Sequence, residues 1–117
     1  MARLAVARAG DLKIPNGAVV SNAFLYREVF EDAEELNLMA PAVLDAFTFT
    51  IEVTDVESGT FRTLQDGSPP ADVNPPAAGK ARAYTTGLLS CVAFRIRSSS
   101  AVAADRIWAA TKQFRVT

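Results

Sequence analysis

Along residues 47–53, Phe47, Phe49, Ile51 and Val53 alternate with Thr48, Thr50 and Glu52. A period of two places the first set on one face of an extended chain and the second on the other. Aromatic, β-branched and threonine side chains also suit a pleated surface. The stretch therefore reads as a strand with one apolar face.

Residues 91–97 repeat the pattern. Val92, Phe94 and Ile96 alternate with Ala93, Arg95 and Arg97, so that two guanidinium groups reach solvent or a partner. Ser98-Ser99-Ser100 closes this run as a turn or loop. Between the two runs, Glu57-Ser58-Gly59-Thr60 reads as a turn into Phe61-Arg62-Thr63-Leu64, giving a hairpin with the first strand. Residues 65–79 then hold four of the six prolines, Pro69, Pro70, Pro75 and Pro76. Proline has no amide donor, so this stretch is no central strand. It reads as a long loop at the surface or against a neighbouring subunit. Residues 80–85 fit a further short strand.

Towards the end, the apolar phase shifts between Ile107 and Phe114, as a bulge or bend in a long strand over 102–116 would produce. A helix over 101–113 is the competing reading. Near the start, Leu4 and Val6 suggest a short strand between Arg3 and Arg8. Residues 21–39 admit two readings. One is a helix capped by Ser21, with Leu25, Val29, Ala33 and Leu36 at helical spacing. The other, which we adopt, is short strands at Val29-Phe30 and Leu36-Asn37-Leu38 around an acidic turn from Glu31 to Glu35.

Seven or eight short strands separated by turn signals describe an all-β fold. The expectation is one antiparallel β-sandwich or jelly roll over residues 1–117, with an N-terminal arm at 1–16 and a Pro-rich loop at 66–79. Parallel α/β architecture would need helices between most strands, and the sequence offers none.

Composition narrows the function. Half of the residues are hydrophobic and 21% are charged, which is globular rather than disordered. A formal net charge of −1 gives no global field for nucleic acid or an anionic membrane. No apolar run approaches a membrane span, and Arg3 and Arg8 interrupt what would otherwise be an apolar leader. Cys91 is the one cysteine, so no intrachain disulfide can form. Histidine is absent, which removes the usual proton shuttle and both Ser-His-Asp and Cys-His catalysis. The inventory contains no convincing catalytic set, cofactor loop or metal site. Glu52, Asp55 and Glu57 read as a solvated turn rather than oxygen ligands for calcium. Cys91 reads as a structural thiol, and Trp108 as a core or interface anchor rather than a sugar-stacking platform.

The charges are segregated along the chain. Acids crowd residues 28–57, from Glu28 through Asp45 and Glu52 to Glu57, while bases dominate from Lys80 onward, including Arg82, Arg95, Arg97, Arg106 and Lys112. Either the two sets meet across strands within one sandwich, or they meet between neighbouring copies, where complementarity sets register more than affinity.

Two resemblances follow from particular stretches. One rests on Val20-Ser21-Asn22-Ala23, Leu36-Asn37-Leu38-Met39-Ala40-Pro41, Phe47-Thr48-Phe49-Thr50-Ile51-Glu52-Val53-Thr54 and Phe61-Arg62-Thr63-Leu64. It continues with Phe94-Arg95-Ile96-Arg97-Ser98-Ser99 and Ala101-Val102-Ala103-Ala104-Asp105-Arg106. In size and in its Ala/Thr/Val-rich strands, the chain resembles the small β-sandwich virion structural proteins of tailed bacteriophages. The second rests on Phe49-Thr50-Ile51-Glu52-Val53-Thr54, Gly59 and Val92-Ala93-Phe94-Arg95-Ile96-Arg97. These look like strands of galactose-binding-like jelly rolls, although the cysteine pair that often joins the ends of such domains is missing.

The first resemblance implies a non-enzymatic virion protein, most concretely a capsid decoration or cement protein. It would fold in the host cytoplasm, bind the major capsid protein or other virion proteins, and associate with itself. It would use no cofactor. The alternatives are a carbohydrate-binding module with a glycan ligand, or a tail or head-tail connector component. Candidate interface residues are Pro69, Pro70, Pro75, Pro76, Arg95, Arg97, Arg106 and Trp108.

Overall fold

The computed structural model describes residues 3–30, 33–55 and 59–116. Ten strands and one helical turn are present among them: β1 (Arg3–Ile14), β2 (Phe24–Leu25), α1 (Tyr26–Val29), β3 (Ala33–Met39), β4 (Phe49–Thr54), β5 (Arg62–Thr63), β6 (Gln65–Asp66), β7 (Ala71–Asp72), β8 (Ala81–Thr85), β9 (Ala93–Ser98) and β10 (Arg106–Val116).

Two four-stranded antiparallel sheets face each other, in the orders β1-β10-β3-β8 and β2-β9-β4-β5, and β6 and β7 form a small separate hairpin. Without that hairpin, eight strands remain, and the pairs β1·β10, β2·β9, β3·β8 and β4·β5 are first with last, second with second-last, and so inward. A single long ribbon rolled upon itself gives this pairing, which is the winding of an eight-stranded jelly roll. The all-β expectation from strand alternation holds.

Alternation explains what fills the space between the sheets. Leu12 and Ile14 on β1, Leu36 and Leu38 on β3, Ile51 on β4, Phe94 and Ile96 on β9, and Trp108 and Ala110 on β10 point inward and are buried in one cluster. Each fully buried aliphatic or phenyl side chain contributes about 1.5–3 kcal/mol relative to exposure. Phe24 and Phe94 meet edge to face at 5.6 Å, and Phe49 meets Trp108 at 5.3 Å.

Several details depart from the sequence reading, each for a physical reason. The strand at residue 47 starts two residues later, at Phe49, and Phe47 is 38% exposed. Likewise Val92 lies before β9 and is also 38% exposed, while Ala93 on the outer face is buried. The long last strand is present, and the competing helix over 101–113 is not. The register shifts fall between Arg8 and Gly10 on β1 and opposite Gln113 and Phe114 on β10, where Ala33 and Glu35 are the partners. The extra residues are therefore Ala9 and Glu34 on the neighbouring strands, while β10 runs on unbroken. Gly10 takes φ +114° at the first bulge, a conformation open to glycine.

In the 21–39 region, strands win at Phe24–Leu25 and Ala33–Met39. Val29 lies in the single helical turn and Phe30 at its end, not in a strand as read from sequence. Of the acidic turn there, residues 31 and 32 lie outside the described residues, as do 56–58 of the turn before Gly59. The stretch read as an N-terminal arm is instead mostly strand β1, paired with β10 from Arg3 to Ile14.

Candidate interaction surfaces

Three sets of charges organise the surface. On the outer face of the second sheet, Glu52 lies directly opposite Arg95 and diagonally from Arg97. Its carboxylate accepts from Arg95 Nε at 2.9 Å and from Arg97 Nε at 3.0 Å. The Arg95 guanidinium also lies over the Phe61 ring, 4.0 Å from its centre. Glu52 is only 5% exposed, so its charge is compensated by two cations and the cluster keeps one net positive charge. Arg97, nearly half exposed, is the member that can still meet an outside partner.

At the end of the sandwich where β3 leads into β4, Asp45 accepts from the Ala103 backbone N–H at 3.0 Å and from Arg106 Nε at 2.8 Å. Nearby, Asp105 accepts from the Asn16 N–H at 2.8 Å and pairs with Lys13 at 3.2 Å. The Ala103 N–H, then Arg106, hold Asp45 below the ordinary carboxylate pKa of 3.8, and the Asn16 N–H, then Lys13, do the same for Asp105. A lowered folded-state pKa stabilises the fold above the unfolded value and is lost as pH falls through the folded one. The thermal midpoint should therefore drop as pH falls below about 4, and the double variant Asp45→Asn/Asp105→Asn should flatten that drop. A melting series from pH 7 down to pH 2 checks this; an unchanged slope in the variant contradicts it.

Both Glu52 with Arg95 and Arg97, and Asp45 with Arg106, join the acidic middle of the sequence to its basic end. Across these pairs the segregated charges meet within one sandwich.

The expected interface residues separate into two groups. Pro69 and Pro70 are exposed beside the β6–β7 turn, and Arg97 is exposed on its sheet. Pro75 and Pro76 are buried: the chain after the hairpin turns inward, and the Pro76 carbonyl accepts from Trp108 Nε1 at 3.3 Å. Trp108 is 0% exposed, so it offers no platform to a glycan and serves as a core anchor. Arg106 is mostly enclosed by Asp45 and by the Val43 carbonyl.

Cys91 points its thiol at the carbonyls of Leu89 and Ala93, at 3.0 and 3.2 Å. Burial pushes its pKa up to about 11. At pH 8 it should react with iodoacetamide on the order of twentyfold more slowly than an unhindered cysteine peptide. Labelling at the peptide's rate would show that the thiol is not so held.

Sequence reasoning missed two features. A groove of about 650 Å³ runs between β8 and the hairpin, lined by Leu64, Gln65, Asp66, Ala83, Tyr84 and Thr85 among others. Asn22 also lies along the open side of β1: its Oδ1 accepts from the Lys13 N–H at 2.8 Å and its Nδ2 donates to the Asp11 carbonyl at 3.0 Å. One amide side chain thus imitates a neighbouring strand over one step of β1. Asn22 sits in an ordinary loop string, and the groove joins segments nearly twenty residues apart, so neither has a local sequence signal.

The class defined by this winding is an eight-stranded jelly roll with a hairpin inserted between its fifth and sixth strands. No family model matches the chain, and no curated protein sequence matches it. Among solved structures it is similar to the SPBc2 prophage-derived protein YomS, with a TM-score of 0.59 at 8% identity, over 97% of this chain and 95% of that one. A coat protein of tobacco streak virus is a more distant match, with a TM-score of 0.39 at 12% identity over 95% of this chain and 85% of that one.

Proposed function

We infer that the chain is a non-enzymatic structural protein of a bacteriophage particle, most concretely a capsid decoration or cement protein. The observation that carries this reading is the fold shared with a prophage-derived protein across nearly the full length of both chains. The interior supports it. The carboxylates of Glu52 and Asp45 are each held by arginine, a structural use of charge. Trp108, the residue a sugar-binding reading would need at the surface, lies in the core.

A cement protein works by mass action. It binds the assembled shell and not the free subunits, and so shifts the equilibrium toward the shell. The exposed hairpin with Pro69 and Pro70 and the Arg97 face are the surfaces offered to the major capsid protein or other virion proteins. Proline limits the entropy lost when such a segment orders on contact. Association with further copies of this chain belongs to the same reading.

Co-sedimentation tests the mechanism. Purified protein should pellet with assembled empty shells of the phage that encodes it and should leave free shell subunits unbound. At a free concentration a hundred times Kd, bound copies should stabilise the shell by about 2.7 kcal/mol per site. Equal binding to shells and free subunits would remove the cement mechanism.

A further inference from the structure

The sheet β1-β10-β3-β8 has two edges, and both carry open backbone. On β8, Ala40 N–H donates to the Lys80 carbonyl and Thr86 N–H to the Glu34 carbonyl. Alternation then turns Arg82 and Tyr84 toward β3, and turns the backbone groups of Ala81, Ala83 and Thr85 outward. On β1, Asn22 occupies the outer side at Asp11 and Lys13, so Leu12 and Ile14 face β10. Following β10 across the bulge, Ala5 and Ala7 face β10 too, and Val6 and Arg8 turn outward. Among the described residues, no hydrogen bond reaches the outward backbone groups of Val6, Arg8, Ala81 or Ala83. Unpaired rows of this kind are templates for another strand.

We propose that copies of this chain associate head to tail, with the Val6–Arg8 edge of β1 from one copy entering the groove between β8 and the β6–β7 hairpin of the next. The inference extends the self-association in the preceding reading, and its test uses the purified chain alone, so it can fail while the particle assignment stands.

Direction, size and charge choose this occupant. All four strands are antiparallel, so β8 runs opposite to β1, and a following copy's β1 meets β8 antiparallel with the sheet's faces matched. The groove of about 650 Å³ compares with ~160 Å³ for one extended residue, from its rise, strand spacing and sheet spacing, and so holds ~4 residues. The incoming stretch alternates alanines with Val6 and Arg8. Among the described residues, Val6 is the most exposed large hydrophobic side chain, at 66%. The outer-face residues of β8 are small and uncharged, Ala81, Ala83 and Thr85. Arg82 is turned onto the Tyr84 ring and the Asn74 carbonyl, and Asp66 on the hairpin wall faces the slot that Arg8 would enter. Arg8 already pairs with Asp11 at 2.7 Å on the exposed face of β1, so in the groove its guanidinium would be shared between Asp11 and Asp66. A head-to-tail contact closes into a ring or continues as a filament, according to its rotation.

Light scattering coupled to size exclusion tests this on the wild-type chain and two edge variants. Val6→Pro and Ala83→Pro each remove an outward N–H that makes no bond within the chain, and circular dichroism checks that both fold. Wild type should be oligomeric at about 100 µM, and each variant alone should be monomeric. Mixed together, they should form a one-to-one dimer, because the intact β1 of one fits the intact β8 of the other. Asp66→Lys, on the exposed hairpin, should weaken wild-type assembly about tenfold, and it carries the test if a proline variant misfolds. A monomeric wild type overturns the proposal. So does an Ala83→Pro chain that still dimerises, since that is the outcome of β1 pairing with β1.

Discussion

Trp108→Ala is expected to lower the stability of the fold by about 3–5 kcal/mol, more than any other single truncation in the core. The indole is the largest fully buried side chain and lies where both halves of the rolled ribbon meet. It packs edge-on against Phe49 at 5.3 Å and satisfies the buried Pro76 carbonyl through Nε1. Truncation leaves a cavity and an unpaired carbonyl together. For a chain of this length the loss corresponds to about 15 °C in the melting midpoint. Trp108→Phe keeps an aromatic edge for Phe49 but not the hydrogen bond, and should cost about 1–2 kcal/mol. Thermal unfolding followed by circular dichroism checks both, since the native fluorophore is the residue removed. A midpoint shift of a few degrees for the alanine variant would place the indole outside the core.

The second large effect is expected at Glu52. Removing one partner of a buried ion pair costs far more than the pair contributes, because the charge left behind has lost its solvent. Glu52→Ala leaves two guanidiniums side by side at alternate positions of β9 and should cost about 3 kcal/mol, the low end of the range because Arg97 can turn into water. Arg95→Ala strands the carboxylate with one cation and uncovers Phe61, and should cost about 2 kcal/mol. Arg97→Ala should cost less than about 1 kcal/mol, as exposed pairs do. The ranking Glu52, Arg95, Arg97 is the testable content, read from urea midpoints. Equal costs for all three would mean that burial does not set the energetics of this cluster.

How much of the fold was legible in the sequence varies by element. Period-two alternation located β4 and β9, because a strand buried on one face must separate apolar from polar residues. It misplaced their starts by two residues: Phe47 precedes the Ser99–Thr48 bond that opens the ladder, and Val92, although bonded to Thr54 and Tyr26, stands before the regular run of β9 with its side chain 38% exposed. The jelly-roll winding was one of two sandwich forms named, and no local signal distinguishes which strands pair when partners lie a hundred residues apart, as Leu12 and Trp108 nearly do. The phase shift read between Ile107 and Phe114 is not a bulge of that strand: β10 runs unbroken, Ile107 faces outward while Trp108 and Ala110 face inward, and the bulges lie on β1 and β3. In the proline-rich segment, composition showed that no central strand could form. It could not tell the exposed Pro69 and Pro70 from Pro75 and Pro76, which the core takes in. The charge segregation was visible at once, and whether its halves meet within or between copies required the cross-strand register that puts Glu52 beside Arg95.

The most direct test of the proposed structural role is to purify the phage particle to which the proposal assigns this chain and count its copies by quantitative mass spectrometry against the major shell protein. A ratio near stoichiometric is expected for decoration of the shell. A few copies per hundred would replace decoration with a tail or connector position, and absence from any particle would contradict the virion role itself.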